Sequence, residues 1–301
     1  MVAAGAAVPL VRRRLGGPAA LVQAGAYSAP VGLCVAARRT PARDVATCAL
    51  QMWAYVMAYK HPHDDPESQR ESTHFSYPIA ADRLLGLGEL PTVRVQRALA
   101  RVGPEGAEWR ALDKALVWAH WSWFAVPHGS LAYLLARHPQ RFPRGAALMY
   151  ATFDVGACFY WVLPTAPPWY AASEAMPDGD GVPAVRRMMV EYGELFWQDG
   201  WGPLYSVFGG NPLAAMPSLH FATSLMAALL LAEVGPLPGA VGYGYLLALG
   251  FALVYLGEHY LVDLLGGAAL TAAVWRAGAR AGPLAGRVRR AIGRLEAMAH
   301  E

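Results

Sequence analysis

The chain has 301 residues, of which 55% are hydrophobic and only 16% charged, and its formal net charge is +3. Soluble domains carry about 25% charged residues, so this composition excludes an ordinary water-soluble globule. The apolar residues cluster in windows of roughly 17–25 residues, the length of a helix that crosses a bilayer. We therefore predict an all-α fold, a polytopic membrane helical bundle with about six transmembrane helices.

The N-terminal segment, residues 1–42, allows several interpretations. Arg12-Arg13-Arg14 is followed by an uncharged stretch from Pro18 to Ala37 that is rich in Ala, Gly and Ser. This stretch is a weak spanning candidate, a signal-like region or an interfacial helix. Residues 43–277 form the predicted membrane catalytic domain, with its core at residues 111–277.

Six apolar runs in this domain have the length of spans. They are Asp44–Tyr59, Leu112–Ala136, Gly145–Leu163, Ser218–Val234, Ala240–Leu256 and His259–Trp275. The stretch from Pro78 to Arg101 mixes Leu and Val with charged residues, which is typical of a segment lying at the membrane surface. The basic tail, residues 278–301, is predicted to be cytoplasmic or disordered.

An outer loop, residues 164–216, separates the third and fourth spans. It begins with Pro164-Thr165-Ala166-Pro167-Pro168-Trp169-Tyr170, whose prolines cannot continue a helix. An amphipathic piece from Val185 to Trp197 follows. Loops of this length in a compact domain are usually functional.

Counting the crossings places this loop and two short polar motifs at one membrane face. The motifs are Pro217-Ser218-Leu219-His220 and His259-Tyr260-Leu261-Val262-Asp263. Arginines gather at the opposite face: Arg38, Arg39, Arg43, Arg137, Arg141, Arg144 and those from Arg276 onward. By the positive-inside rule that face is cytoplasmic, so we expect the motifs at the extracytoplasmic or lumenal face and the C-terminus in the cytoplasm.

The two motifs contain the residue types of a phosphoester-cleaving site. Asp263 follows His259 by four residues, so on a helix it could orient one ring nitrogen and leave the other as a nucleophile. His220 would donate a proton to the departing oxygen. Pro217 suits the first turn of a helix, where Ser218 and free amides would form an anion site.

Other interpretations of these residues are weaker. The His259–Asp263 pair could simply satisfy two buried polar groups, although ionisable residues in membranes are usually functional. Zinc is disfavoured because no third histidine or Cys-x-x-Cys lies nearby and catalytic zinc needs three protein ligands, so neither a metal nor another cofactor is expected. His120 is predicted to contact a head group, whereas His128 and Asp154 are predicted interhelical hydrogen-bond partners. Cys34, Cys48 and Cys158 are interpreted as small buried hydrophobes.

The two motifs resemble the second and third signatures of the type 2 phosphatidic acid phosphatase superfamily. A narrower resemblance is to the branch of fungal inositol phosphorylceramide synthases and their bacterial relatives. It rests on the proline-rich turn, on Leu219 and on the sequence around His259. The resemblance implies a six-helix core in which His259 forms a phosphohistidine, Asp263 orients it and His220 protonates the leaving group.

The sequence departs from the superfamily where cations would hold the phosphate. The first signature is replaced by the proline-rich turn, and Ala252 and Leu253 occupy the Ser-Arg positions of the third. One candidate replacement for these cations is the proline-rich turn itself, with Thr165 and Tyr170 as candidate substrate-binding residues. Arg186 and Arg187 are another, although a solvated charged face is the favoured interpretation of that pair.

These features predict a membrane enzyme that moves a phospho-head group, of the phosphoinositol type, from a phospholipid donor to a lipid hydroxyl. With water as the acceptor, it would be a lipid phosphatase acting on phosphatidate or polyprenyl phosphates. A non-enzymatic scaffold or transporter is the third hypothesis. Transport favours broken helices near the bilayer midplane, whereas these motifs lie at helix ends. The bilayer and lipids are the expected partners, and no basic stripe suggests nucleic acid.

Overall fold

The computed structural model describes residues 1–15, 18–99, 109–173, 185–208 and 210–300. Within these ranges the regular structure is helical, and the only β-type pairings are two isolated bridges, His74 with Thr165 and Thr165 with Ala214. The predicted all-α class is therefore confirmed.

The described helices, in chain order, form an N-terminal group, a central bundle and a set of short helices. The first eight are α1 Val2–Leu15, α2 Ala19–Ala36, α3 Pro41–Lys60, α4 Pro66–Glu71, α5 Ser76–Leu85, α6 Pro91–Leu99, α7 Ala111–Trp121 and α8 Ala125–Arg137. The other eight are α9 Phe142–Val162, α10 Pro168–Ser173, α11 Met188–Trp197, α12 Trp201–Phe208, α13 Leu219–Ala232, α14 Pro236–Tyr255, α15 Leu261–Arg280 and α16 Gly282–His300.

Three of these helices are long and apolar enough to cross a bilayer: α2, α14 and α15, with α13 as a shorter apolar helix. Helix α2 covers the uncharged N-terminal stretch, so that stretch meets the length and hydropathy of a span. The prediction of about six spans stays a prediction. Arg12 and Arg13 both pair with Asp64 at 2.8 Å, beyond the Lys60 end of α3. Burial alone would raise the pKa of Asp64, but the two guanidiniums hold it below its ordinary value.

The predicted second span is not one continuous α-helix. A 3-10 turn, Ser122–Phe124, separates α7 from α8. Pro127 lies in the first turn of α8 and has no N–H to bond the carbonyl of Trp123, four residues earlier. The turn places two aromatic side chains, Trp123 and Phe124, between the two helices.

The outer loop is largely helical over its described residues, 164–173, 185–208 and 210–216. The amphipathic piece predicted from Val185 to Trp197 is present as α11. It packs against α7 and α14 through a cluster that includes Met188, Met189 and Tyr192. Helices α5 and α6 pack against the bundle near α15 and α14, and they bury Asp82, Thr92 and Gln96. The segment predicted at the membrane surface is therefore two short helices docked on the bundle.

The basic tail is a helix rather than a disordered segment. Helix α16 follows α15 after Ala281 and packs against α2. The Arg43 guanidinium of α3 lies 3.5 Å from the Glu296 carboxylate of α16. This contact brings the start of α3 and the C-terminal helix to the same end of the bundle.

Helices α13 and α15 approach each other closely near their N-termini. A Cβ atom on Gly267 of α15 would lie 2.5 Å from the carbonyl oxygen of Ser218. One turn further on, the Thr271 hydroxyl donates to the Ala222 carbonyl at 2.8 Å. Both Thr271 and Gly267 are buried, so the separation of the two helices is set by a glycine at the point of contact.

Replacing Gly267 with Ala should lower stability, because the new methyl group meets a backbone oxygen that cannot rotate away. We expect a loss of about 1–3 kcal/mol, the usual cost of overpacking, measured as a lower thermal midpoint in detergent. Gly244→Ala is the matched control, since a Cβ at that position of α14 meets nothing within 4 Å. An unchanged midpoint for Gly267→Ala would contradict this account of the contact.

Candidate active site

The two polar motifs meet at one end of the bundle. His220 is the second residue of α13, and His259 lies in the turn between α14 and α15. Nδ1 of His220 is 3.2 Å from Nε2 of His259, and the residue His259 is only 4% exposed. The two imidazoles are therefore close enough to act on one phosphorus centre.

Asp263 contacts the other nitrogen of His259. Its Oδ2 atom lies 3.2 Å from Nδ1 of His259 and also accepts the Tyr260 N–H at 2.9 Å. With a carboxylate as acceptor, Nδ1 carries the proton and Nε2 keeps its lone pair toward His220. The geometry differs from the predicted helix face, because α15 begins at Leu261 and His259 precedes it. Asp263 reaches back to His259 from the first turn of α15.

The Pro217–Ser218 pair begins α13 in a different way from the prediction. Ser218 is the N-cap, and Pro217 lies before it rather than in the first turn. The Ser218 hydroxyl accepts the Phe221 N–H at 3.3 Å, and its own N–H donates to the Asp263 carbonyl at 3.0 Å. The Tyr160 hydroxyl donates to the Pro217 carbonyl at 2.8 Å. Because Ser218 is fully buried, its polar atoms join the two motifs rather than face a ligand.

His220 is held between aromatic rings. Its ring lies 5.0 Å from that of His120, stacked at 28°, and 4.2 Å from that of Trp123. The Trp123 indole N–H donates to Thr223 at 2.9 Å, which fixes that ring. Both ring nitrogens of His120 are buried and make no hydrogen bond to the described residues.

Within the described residues, no group of three or more His, Cys, Asp or Glu is arranged to hold a metal ion.

Asp82 of α5 holds the start of α15 and was not identified from the sequence as a site residue. Its two carboxylate oxygens accept the N–H groups of Leu261 and Val262, at 3.1 and 2.8 Å. Two otherwise free amides of the helix N-terminus are thereby satisfied. Burial raises the pKa of Asp82 to about 6, although the amide hydrogen bonds act in the opposite direction. Only the contact between α5 and α15 identifies this role.

Arg187 does not lie on a solvated face, so the favoured interpretation of that residue is wrong. Its guanidinium makes two hydrogen bonds to Glu258, at 3.0 and 3.3 Å, and lies 3.6 Å from the centre of the Trp169 ring. Glu258 directly precedes His259. Arg186 pairs with Glu191 within the outer loop. The charge of Arg187, beside the histidine motif, is thus already balanced by a carboxylate.

Thr165 and Tyr170 lie in the packed proline-rich turn. The Thr165 hydroxyl is 2.7 Å from the Tyr77 hydroxyl and donates to the Leu163 carbonyl at 3.0 Å, and the residue is fully buried. Tyr170 packs beside Phe75, with 6.2 Å between ring centres. Neither side chain lines either of the two cavities that contain His120 and His220.

Two polar residues in the predicted spans have the following partners. Asp154 accepts hydrogen bonds from Tyr27 and Gln51, at 2.9 and 2.8 Å, which makes it the predicted interhelical partner. His128 instead contacts the Phe124 carbonyl in the preceding turn, at 2.8 Å. Of the three cysteines, Cys34 and Cys48 are partly buried, whereas Cys158 is exposed, contrary to the prediction.

Two imidazoles and a carboxylate thus meet at one end of an all-α bundle that includes helices long and apolar enough to cross a membrane. Residues 107–277, more than half of the chain, match the PAP2 superfamily, and the chain belongs to that family. The resemblance inferred from the motifs is confirmed.

Two curated proteins are similar to part of the chain. The inositol phosphorylceramide synthase catalytic subunit of Schizosaccharomyces pombe is 34% identical over 122 residues, which cover 38% of this chain and 27% of that protein. The inositol phosphorylceramide synthase of Candida albicans is 28% identical over 166 residues, which cover 52% of this chain and 34% of that protein. The chain therefore spans about a third or less of these relatives. The comparison with solved structures found no match.

Replacing Asp82 with Asn should slow catalysis, because an amide offers one acceptor oxygen to two N–H groups. Leaving one buried donor unpaired costs about 1–3 kcal/mol, and a displaced His259 should lower kcat roughly tenfold or more. The measurement is kcat of the variant and of the wild-type protein on the same lipid substrate. Asp65→Asn is the control, since Asp65 caps α4 and Asn is an equally good cap. Wild-type kcat in Asp82→Asn would contradict the positioning role.

The same variant should change how stability depends on pH. The pKa of Asp82 is about 6 in the fold against an ordinary 3.8, so the folded state binds the proton more tightly. Protonation of Asp82 therefore adds stability as the pH falls from about 7 to 5. Asp82→Asn should lose this increment, visible as a flatter plot of thermal midpoint against pH. A slope equal to the wild type would show that Asp82 does not titrate in this range.

Proposed function

We propose that the protein transfers a phospho-head group, of the phosphoinositol type, from a phospholipid to the hydroxyl of a second lipid through a phosphohistidine at His259. The continuous hydrogen-bonded series His220–His259–Asp263 carries this proposal. The relatives named as inositol phosphorylceramide synthases support the choice of head group.

In the first half-reaction, the Nε2 lone pair of His259 attacks the phosphorus. The P–N bond forms as the P–O bond to the donor's glycerol oxygen breaks. His220, protonated when the phosphodiester anion is bound, gives a proton to that oxygen, so a diacylglycerol leaves as a neutral alcohol. Asp263 keeps the Nδ1 proton in place and stabilises the positive charge on the His259 ring.

In the second half-reaction, the acceptor replaces the diacylglycerol. His220 is now neutral and takes the proton of the acceptor hydroxyl, whose oxygen attacks the phosphorus. The P–N bond breaks and its electron pair returns to Nε2 of His259. Each ring ends in its initial protonation state, so the cycle closes without a cofactor.

One feature of the site supports stabilisation of the phosphate anion. The first turn of α13 directs its amides, with the positive end of the helix dipole, toward the His220 side of the site. Lys60 at the end of α3 lines a cavity together with His220. Arg187 is bound to Glu258 through two hydrogen bonds. We assign the anion contact to the N-terminal amides of α13, in place of the superfamily cations that the chain lacks.

The proposed orientation has the site at the extracytoplasmic or lumenal face. Arg141 and Arg144 bond Glu233 at the far end of α13, away from His220. Arg43 and the basic α16 lie together at an end of the bundle remote from Lys60. Arg12 and Arg13 lie at the Lys60 end, where both pair with Asp64. The other arginines named here lie at the opposite end and, by the positive-inside rule, support a cytoplasmic C-terminus.

The covalent step can be tested by trapping the intermediate. Phosphatidylinositol labelled with ³²P should transfer label to the purified full chain, and the adduct should be lost in acid and stable in base, as expected for a phosphoramidate. His259→Ala should trap none, whereas His138→Ala, with its ring remote in the loop before α9, should trap as much as the wild type. Equal labelling of His259→Ala would exclude this residue as the nucleophile.

Transfer and hydrolysis are separated by the products. With labelled phosphatidylinositol in vesicles that contain a lipid alcohol, we expect most of the label in a new lipid and little in water-soluble inositol phosphate. The near-complete burial of His259 supports this, because it limits the access of water to the phosphohistidine. Label found mainly in water-soluble phosphate would make the protein a lipid phosphatase.

A further inference from the structure

Two largely apolar cavities that share two lining residues follow one another from His220 along helix α3. The cavity that contains His220, of about 230 Å³, is also lined by Trp53, Val56 and Lys60. A second cavity, of about 440 Å³, is lined by the same Trp53 and Val56 and continues between α3 and α8. We call the two together the α3 groove.

The α3 groove has the dimensions and lining of an acyl-chain site. It extends from Lys60 to Val45, and fifteen residues of helix at 1.5 Å each cover about 22 Å, or most of a bilayer core of ~30 Å. Val45 is 56% exposed and Trp53 38% exposed, so the groove is open on its lipid-facing side. One wall, α3, lies outside residues 107–277, the part of the chain that matches the family.

A separate aromatic cavity lies on the other side of the Ser122–Phe124 turn. Its volume is about 250 Å³, and it contains His120 together with Trp121 and Trp201. Trp123 and Phe124 line both this cavity and the one that contains His220, so they form the partition between them. The reacting centre therefore has two distinct spaces beside it.

The order of bond breaking decides how these spaces are used. In each half-reaction the entering and leaving groups lie in line through phosphorus. His259 occupies one of these positions in both steps. The leaving glycerol oxygen and the incoming acceptor oxygen must therefore occupy the same opposite position, beside His220. The head group stays on phosphorus throughout and needs a different space.

We propose that the α3 groove binds the acyl chains of the leaving lipid and then those of the acceptor, one at a time, while the aromatic cavity with His120 holds the retained head group. This inference rests on the proposed transfer through His259. It assigns to α3, a helix outside the family match, the binding of both lipids. His120, whose ring nitrogens are buried without partners, would bond a head-group hydroxyl.

The test is an exchange reaction that needs no knowledge of the natural acceptor. The full chain is incubated with phosphatidylinositol and labelled diacylglycerol, and the appearance of label in phosphatidylinositol is measured. Two pairings are compared: a dioleoyl donor with dihexanoylglycerol, and a dihexanoyl donor with dioleoylglycerol.

Ala132→Trp and Ala49→Trp narrow the groove from its two walls. Ala136→Trp and Ala46→Trp are the controls, because they are exposed on the same helices and line no described cavity.

We expect both groove variants to slow both pairings at least tenfold, because each contains one long-chain lipid. Exchange between a dihexanoyl donor and dihexanoylglycerol should change less than twofold, which also shows that the variants are folded. The controls should behave as the wild type in every pairing.

Three outcomes would overturn the inference while leaving the transfer mechanism intact. In the first, the groove variants slow only one of the two pairings that contain a long-chain lipid, which indicates separate grooves for donor and acceptor. In the second, they slow the exchange between the two dihexanoyl lipids equally. In the third, they exchange lipids at the same rates as their control variants. A wild type that exchanges neither diacylglycerol would instead remove the proposed function, and the inference with it.

Discussion

The docking of the α15 N-terminus against the α13 N-terminus is the contact on which the rest of the site depends. The Ser218 N–H donates to the Asp263 carbonyl, and Gly267 allows the two backbones to meet. This contact fixes the distance between two residues that are 39 positions apart in the chain, His220 and His259. Without it, His259 would keep its local partner Asp263, but the two imidazoles would not be held 3.2 Å apart.

The short helices outside the bundle hold this contact in place. Asp82 of α5 satisfies the first two amides of α15, and Asp263 satisfies that of Tyr260. A buried carboxylate is costly to desolvate, and amide hydrogen bonds at a helix N-terminus offset that cost. From the outer loop, the Met188 N–H donates to the Leu256 carbonyl, and the Trp169 N–H to that of Gly257. Gly257 has φ of 84°, a conformation that favours glycine. The turn that presents His259 is thus held from several directions.

Electrostatically, the site differs from what the superfamily signatures imply. The chain lacks the cations of the first and third signatures, and Ala252 and Leu253 are fully buried in the bundle. Arg187 stands near His259, but its charge is balanced by Glu258 and its face is covered by Trp169. A site with few free cations and many aromatic rings excludes water well and binds an anion weakly. This balance of charge is consistent with the phosphodiester donor of the proposed function.

The sequence by itself predicted the helical class, the membrane character and the family. It also predicted that His220, His259 and Asp263 lie together in one site. Composition and short motifs carry that information, because apolar run length and residue spacing are local properties. Tertiary structure alone decided the role of Asp82, the pairing of Arg187 with Glu258, and the burial of Thr165 within the proline-rich turn. It also decided that His259 precedes its helix. Each of these depends on contacts between segments far apart in the chain, and a single sequence contains no local signal for which buried surfaces meet.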